Sequence, residues 1–203
     1  MKITPIFHIL SILIMPLSGF MMVSGFVDFV YNNQNWINFF ISATITLFVG
    51  MSVFLATRGH NDQNIDLRQA FVLTTMSWIT IAFFGALPFY LSNINLNFTD
   101  SFFESMSGIT TTGSTILINI EASPPGILAW RSLLQWLGGI GVIVMAIAIF
   151  PMLSVGGMQL FKAENFENPE KVVPRATSLT RGIFIIYSVL TLIWASLLLS
   201  LIH

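Results

Sequence analysis

Five long runs of uncharged residues constrain this chain more than any other feature of its sequence. The runs cover residues 3–27, 36–56, 69–91, 132–150 and 182–202. A helix needs about 20 predominantly apolar residues to cross the hydrocarbon core of a bilayer. Only 8% of the residues are charged, whereas a soluble domain carries about 25%. The sequence therefore predicts an all-α membrane protein with five spanning helices.

The composition also argues against several classes of function. A net charge of −1 gives no reason to expect nucleic acid as a partner. Cysteine is absent, so the chain has no disulfide framework, thiol nucleophile or cysteine metal site. The three histidines have neither metal-ligand nor catalytic-triad spacing, and there is no phosphate-binding loop. We expect neither an enzyme nor a cofactor.

The basic residues predict how the chain is oriented. If the N-terminus is cytoplasmic and each run crosses once, seven of the eight basic residues fall inside: Lys2, Arg58, Arg68, Lys162, Lys171, Arg175 and Arg181. Only Arg131 falls outside, which is a strong positive-inside bias. The same assignment requires residues 92–130 to enter and leave on the outer side. The sequence thus predicts a re-entrant segment between the third and fourth spans.

Residues 98–108 are suited to form the descending half of that segment. They would form about 16 Å of helix, which reaches only halfway through the bilayer. Thr99 or Ser101 can cap its start, and Ser101 with Glu104 matches a capping box. Asp100 suits the positive end of the helix dipole, and Gly108 suits the other end. The negative end then points toward the membrane centre, where it favours a cation.

A polar stretch, residues 109–116 with the sequence ITTTGSTI, follows this short helix. We expect Thr110 to Ser114 to return in extended form, presenting carbonyls that can replace the hydration shell of an alkali ion. Gly113 permits backbone angles that a Cβ would forbid. Such backbone at membrane depth is costly unless it lines a wet path or binds a ligand. Chemistry alone leaves two interpretations, an ion filter or a hairpin whose threonines only pack against helices.

Two further features are candidates for a structural role around this segment. Arg131 is the one outer-side basic residue and is predicted either to pair with Glu104 or to anchor in water at the interface. Gly138 and Gly139, followed by Gly141, allow close helix packing, or alternatively a hinge for gating.

Three blocks of sequence resemble a known family. They are FFESMSGITTTGST at 102–115, WRSLLQWLGGIGV at 130–142 and PMLSVGGMQL at 151–160. In this order they resemble the TrkH-like subunits of the Trk/Ktr/HKT superfamily of potassium transporters. The resemblance implies that Thr110, Thr111, Thr112 and Gly113 bind K⁺ through backbone carbonyls, as one quarter of a selectivity filter. In plant relatives a serine at the position of Gly113 goes with sodium preference, so glycine favours potassium.

The resemblance also predicts how the chain is divided. Residues 1–66 correspond to an N-terminal helix pair, and residues 67–161 to the first helix–pore loop–helix repeat. Residues 162–181 are a cytoplasmic connection, and residues 182–203 are the first helix of an incomplete second repeat. Because the family builds one pore from four repeats, we expect part of a longer transporter of the bacterial inner membrane.

Several partners and two rival functions follow from this expectation. The family's cytoplasmic face meets a TrkA-like nucleotide-binding regulatory subunit, for which residues 162–181 are either the contact or simply a solvated loop. Membrane lipid, and a homodimer or the remaining repeats on another chain, are further expected partners. The first rival is a homo-oligomeric cation channel in which each copy gives one filter strand. The second is a degenerate membrane interaction protein that transports nothing.

Overall fold

The computed structural model describes residues 3–59, 67–149 and 172–202, and these residues are almost entirely helical. The long helices are α1 (Thr4–Val30), α2 (Trp36–Thr57), α3 (Leu67–Gly85), α6 (Pro125–Ile149) and α7 (Val172–Ile202). Shorter helices are α4 (Leu87–Leu91), α5 (Phe98–Ile109) and a 3₁₀ turn at Ile120–Ala122. Two compact units, Met1–Gly139 and Ile140–His203, divide the chain and are described separately.

Five stretches of the described residues are long and apolar enough to cross a membrane, as the uncharged runs predicted. They are Thr4–Val30, Trp36–Thr57, Arg68–Leu91, Pro125–Ile143 and Thr180–Leu201. The predicted start of the fourth span at residue 132 is wrong, because its helix begins at Pro125. The charge of Arg131 lies inside this helix, where Glu104 pairs with it. The third span breaks between Gly85 and Leu87, because Pro88 in the first turn of α4 has no N–H with which to continue the helical hydrogen bonds of α3.

The first unit begins with an antiparallel pair formed by α1 and α2. Leu17 and Met21 of α1 pack with Phe39 and Ala43 of α2 in the buried core. Large apolar side chains such as Phe48, which is 72% exposed, cover the outside of the pair. An apolar exterior of this kind suits contact with lipid. A helix is also the stable form of the backbone there, because all its N–H and C=O groups are hydrogen-bonded within the helix.

Buried contacts join α3, α5 and α6 in the same unit. Trp130, Leu134 and Ile109 are all buried in its core. The Trp130 indole N–H donates to the Gly85 carbonyl at 2.9 Å, where the break after α3 leaves that oxygen free. The bond places the end of α3 level with the second turn of α6. The chain between them therefore leaves and returns at the same end of these two helices, as a re-entrant segment requires.

The second unit contains the last turns of α6, from Ile140, and helix α7. In α7 the apolar side chains from Phe184 to Leu201 are largely exposed. This helix begins ten residues before the predicted 182, so it includes the end of the predicted cytoplasmic connection. The predicted boundary between residues 161 and 162 lies outside the described residues, as do residues 60–66 before α3.

Candidate ion-binding site

Helix α5 and the residues 110–117 that follow it form the candidate site, which we call the re-entrant hairpin. The 12 residues of α5 span roughly 18 Å, about half of a bilayer. Asn97 caps the helix, because its side-chain oxygen accepts the Asp100 N–H at 2.8 Å. The predicted caps at Thr99 or Ser101, and the predicted capping box, are wrong. Glu104 faces the returning strand instead of the helix start.

The C-terminal end of α5 is closed by a Schellman motif. The Thr111 N–H donates to the Gly108 carbonyl and the Thr112 N–H to the Ser107 carbonyl, each at 3.0 Å. Thr111 has a φ of 58°, a left-handed conformation that a β-branched residue rarely adopts. The expected extended form of residues 110–114 is therefore wrong at Thr110 and Thr111, which lie in a turn, and at Gly113, which also has a positive φ. Strain of this kind gathers at ligand sites, where surrounding contacts hold it.

The strand after this turn runs back along α5. The Ser107 hydroxyl donates to the Ser114 carbonyl at 2.6 Å. One turn closer to the helix start, Glu104 accepts the Thr115 hydroxyl at 2.9 Å and the Ile116 N–H at 3.1 Å. Successive strand residues thus meet successively earlier helix residues. Gly113 lies at the bend with a φ of 79°, so the predicted need for glycine is met.

Arg131 of α6 holds the hairpin from the side. Its Nε lies 2.5 Å from the Glu104 carboxylate, which is fully buried, while the Arg131 side chain is 13% exposed. Its Nη2 donates to the Gly113 carbonyl at 3.0 Å. The structure thus contains the ion pair that the sequence suggested, and Arg131 is not a water-exposed anchor. Breaking a buried pair of this kind costs far more than losing a surface pair.

The carbonyls at the tip of the hairpin are the groups able to bind a cation. Thr110, Thr111, Thr112 and Gly113 are all exposed. Among the described residues, no hydrogen bond reaches the carbonyls of the three threonines. The Gly113 carbonyl accepts from Arg131 and retains a second lone pair. A row of free carbonyls beyond the negative end of a helix is an arrangement that favours a cation.

Two of the three threonine hydroxyls at the tip, those of Thr110 and Thr112, contact each other. Thr110 Oγ1 donates to the Met106 carbonyl at 2.7 Å and also lies 2.8 Å from Thr112 Oγ1. These contacts fix the two side chains against the end of α5. The backbone carbonyls are therefore better placed for a ligand than the hydroxyls.

Gly138 lets α6 approach the C-terminal end of α5, next to the tip of the hairpin. A Cβ on Gly138 would overlap the Ile109 carbonyl oxygen, which belongs to the last residue of α5. The close packing predicted for this glycine patch is thus present at Gly138. Gly139 is partly buried. A Cβ added to Gly141 would meet no described atom within 4 Å, so this glycine is not needed for close packing there.

One polar contact in this unit was not foreseen from the sequence. Asp28, near the end of α1, is fully buried, and its Oδ1 accepts the Gly126 N–H of α6 at 2.6 Å. The two residues are 98 positions apart, so no local pattern predicts the bond. The only available signal was a carboxylate at the end of an apolar run.

A half-length helix with a returning polar strand, set between two spanning helices, defines a pore-loop protein of the membrane. A sequence model of the TrkH family, described as cation transport protein, matches residues 35–203. The chain belongs to this family and is a multi-pass membrane protein.

Individual relatives agree with this assignment. The Trk system potassium uptake protein TrkI of Halomonas elongata is 41% identical over 94% of the chain, and TrkH of Escherichia coli is 37% identical over 94%. The crystal structure of the potassium transporter TrkH from Vibrio parahaemolyticus matches with a TM-score of 0.80 and 32% identity over 95% of the chain. The chain spans 39% and 40% of the two curated relatives and 38% of that crystallised chain.

Proposed function

We propose that this chain supplies one quarter of the selectivity filter of a potassium-uptake transporter. The observation that carries the proposal lies just beyond the end of α5, where Thr110, Thr111 and Thr112 are exposed and no described hydrogen bond reaches their carbonyls. A potassium ion entering a filter sheds its water, and carbonyl oxygens take the place of that water. The negative end of α5 adds a favourable potential at the same point.

The surrounding charges support cation binding. Arg131 alone would repel a cation close to the filter. Its pairing with Glu104 cancels that charge, while its Nη2 still holds the Gly113 carbonyl. The pair therefore sets the position of the bend without opposing the ion. The strained turn at Thr111 is held by the two Schellman bonds, so the three carbonyls need little rearrangement when the ion arrives.

Potassium is the proposed cargo, and no cofactor takes part. The names of the relatives describe potassium uptake. Within this chain, Gly113 is the residue that favours K⁺ over Na⁺, since its φ of 79° sets the direction of the neighbouring carbonyls. A side chain there would strain the bend.

The proposed setting is the bacterial inner membrane, with the N-terminus in the cytoplasm and the hairpin entered from outside. The other three quarters of the filter come from further repeats, on the same chain or on another. A TrkA-like regulatory subunit binds on the cytoplasmic side, to which the basic-residue pattern assigns residues 162–181. Residues 150–171 are outside the described part of the chain.

Ion selectivity in a chimaeric transporter tests this proposal. Residues 1–203 replace the matched part of the E. coli relative, and rubidium and sodium uptake are measured in cells that lack other potassium uptake. We expect rubidium uptake, and we expect Gly113→Ser to lower the rubidium-to-sodium ratio at unchanged membrane abundance. Ser114→Ala is the matched control and keeps the ratio, because it leaves the backbone carbonyl in place. An abundant chimaera without rubidium uptake, or an unchanged ratio in Gly113→Ser, contradicts the proposal.

The 203-residue chain expressed alone separates the proposal from its rivals. One quarter of a filter leaves the ion without most of its carbonyl partners, so we expect no growth rescue at low potassium. Robust rescue would favour the homo-oligomeric channel, in which native mass measurement finds a tetramer. A chimaera that never transports would favour the non-transporting interaction protein.

A further inference from the structure

The buried contact between α1 and α6 has no part in the filter chemistry described above, yet it lies on the helix that holds the filter. Pro125 is the first residue of α6 and has no N–H, so Gly126 provides the first donor of that helix. Asp28 Oδ1 accepts this donor at 2.6 Å. A carboxylate at the positive end of a helix is favourable. Asp28 therefore caps α6 from a different helix.

Three polar side-chain atoms at this contact are buried without a described hydrogen-bond partner. Ser24 Oγ, Asp28 Oδ2 and Asn35 Nδ2 are buried and have no hydrogen-bond partner among the described residues. Ser24 and Asp28 are four residues apart and share a face of α1, and Asn35 lies beside the same carboxylate. No described basic residue pairs with Asp28. The hydrogen bond that the carboxylate accepts from a backbone N–H is the cap on α6.

The cap fixes the height of α6 along α1. A Cβ on Gly126 would lie 2.7 Å from the Ser24 carbonyl oxygen, so the two helices are in direct contact here. A slide of α6 by one residue, about 1.5 Å, would break the bond to Asp28. Arg131 lies five residues further along α6, and Gly138 twelve residues further. Both contact the re-entrant hairpin, at Gly113 and at Ile109.

We propose that Asp28 is a positioning residue through which the N-terminal helix pair sets the geometry of the filter. By capping α6, Asp28 holds Arg131 at the height at which its Nη2 meets the Gly113 carbonyl and its Nε meets Glu104. The helix pair thus has a functional role in ion selection, beyond anchoring the chain in the membrane. The selectivity part of this inference rests on the proposed function, whereas the mechanical coupling does not.

Hydrogen exchange of the 203-residue chain in lipid nanodiscs tests the coupling without any need for transport. Asp28→Ala should speed exchange of the Gly126 N–H about tenfold, the effect of losing one charged hydrogen bond. It should also speed exchange of the Ile116 N–H, which is bound to Glu104 on the far side of Arg131. Asp28→Asn keeps an oxygen acceptor and should restore both rates. Ser18→Ala, which removes a partly buried hydrogen bond to the Met15 carbonyl within α1, is the control and should change neither rate.

Two outcomes would overturn the coupling: faster exchange confined to Gly126, or an Ile116 rate that rises equally in Ser18→Ala. If Asp28→Ala unfolds the whole unit, Asp28→Glu replaces it. The longer side chain of glutamate keeps the charge but moves the carboxylate away from its position at the Gly126 N–H. This variant should speed exchange of the Ile116 N–H while the amides of α2 stay protected.

Uptake by the chimaera tests the selectivity part. Asp28→Ala should lower the rubidium-to-sodium ratio several-fold at normal abundance, and Asp28→Asn should restore it. Coupled exchange with an unchanged ratio would refute the role of Asp28 in selection. A failure of the chimaera itself would count against the proposed function and leave the exchange result standing.

Discussion

Gly138→Ala probes the contact between α6 and the hairpin. Two opposing effects determine the stability of this variant. Alanine is favoured over glycine within a helix by about 1 kcal/mol. The new Cβ, however, would overlap the carbonyl oxygen of Ile109, which is backbone at the closed end of α5 and cannot swing away as a side chain can. Overpacking of this kind costs roughly 1–3 kcal/mol.

Gly141→Ala isolates the cost of the overlap. It gains the same helix propensity, but a Cβ at Gly141 meets no described atom within 4 Å. The propensity term cancels between the two variants, so Gly138→Ala should be less stable than Gly141→Ala by roughly 1–3 kcal/mol. The free energy of unfolding in mixed micelles, followed by helix content, measures the difference. Equal stability of the two variants would refute close packing between Gly138 and Ile109.

Two other predictions concern the ion pair and the topology. Glu104→Gln should destabilise the chain by about 3–5 kcal/mol, because it leaves the buried Arg131 charge without its partner. In a double-mutant cycle with Arg131→Met the coupling should be about 2 kcal/mol, and additive effects would exclude an energetically significant pair. For topology, single cysteines are unambiguous because the chain has none of its own. Cysteine at Gln34 or Glu121 should react with an impermeant thiol reagent from outside, and cysteine at His60, outside the described residues, only from the cytoplasm. Labelling of positions 60 and 121 from the same side would contradict the re-entrant topology.

The membrane-length helices were predictable from the sequence because they follow from charge and length. Uncharged runs of membrane length gave the spans, and residues 98–108 were too short to cross. The pairing of Glu104 with Arg131 was foreseeable because a single basic residue stood on the outer side. The start of α6 was predicted too late, because the uncharged run begins only after Arg131 whereas the helix already begins at Pro125. A charge that is neutralised by a partner from another segment does not end a span.

The details of the hairpin depended on tertiary contacts that local propensity cannot supply. Asn97, Thr99 and Ser101 are all competent caps within five positions, so the sequence could not choose between them. Thr111 has no propensity for a left-handed conformation, and the bonds around it impose the turn. The Asp28–Gly126 bond joins residues 98 positions apart and has no local signal at all.

The position of a bound ion tests the central claim most directly. Crystals of the chimaera grown in rubidium allow the ion to be located by its anomalous scattering. We expect an anomalous peak within bonding distance of the carbonyls of Thr110, Thr111, Thr112 or Gly113, and we expect this peak to disappear when rubidium is replaced by sodium. A peak elsewhere along the pore, with these four carbonyls unoccupied at saturating rubidium, would contradict the assignment of the re-entrant hairpin as a filter element.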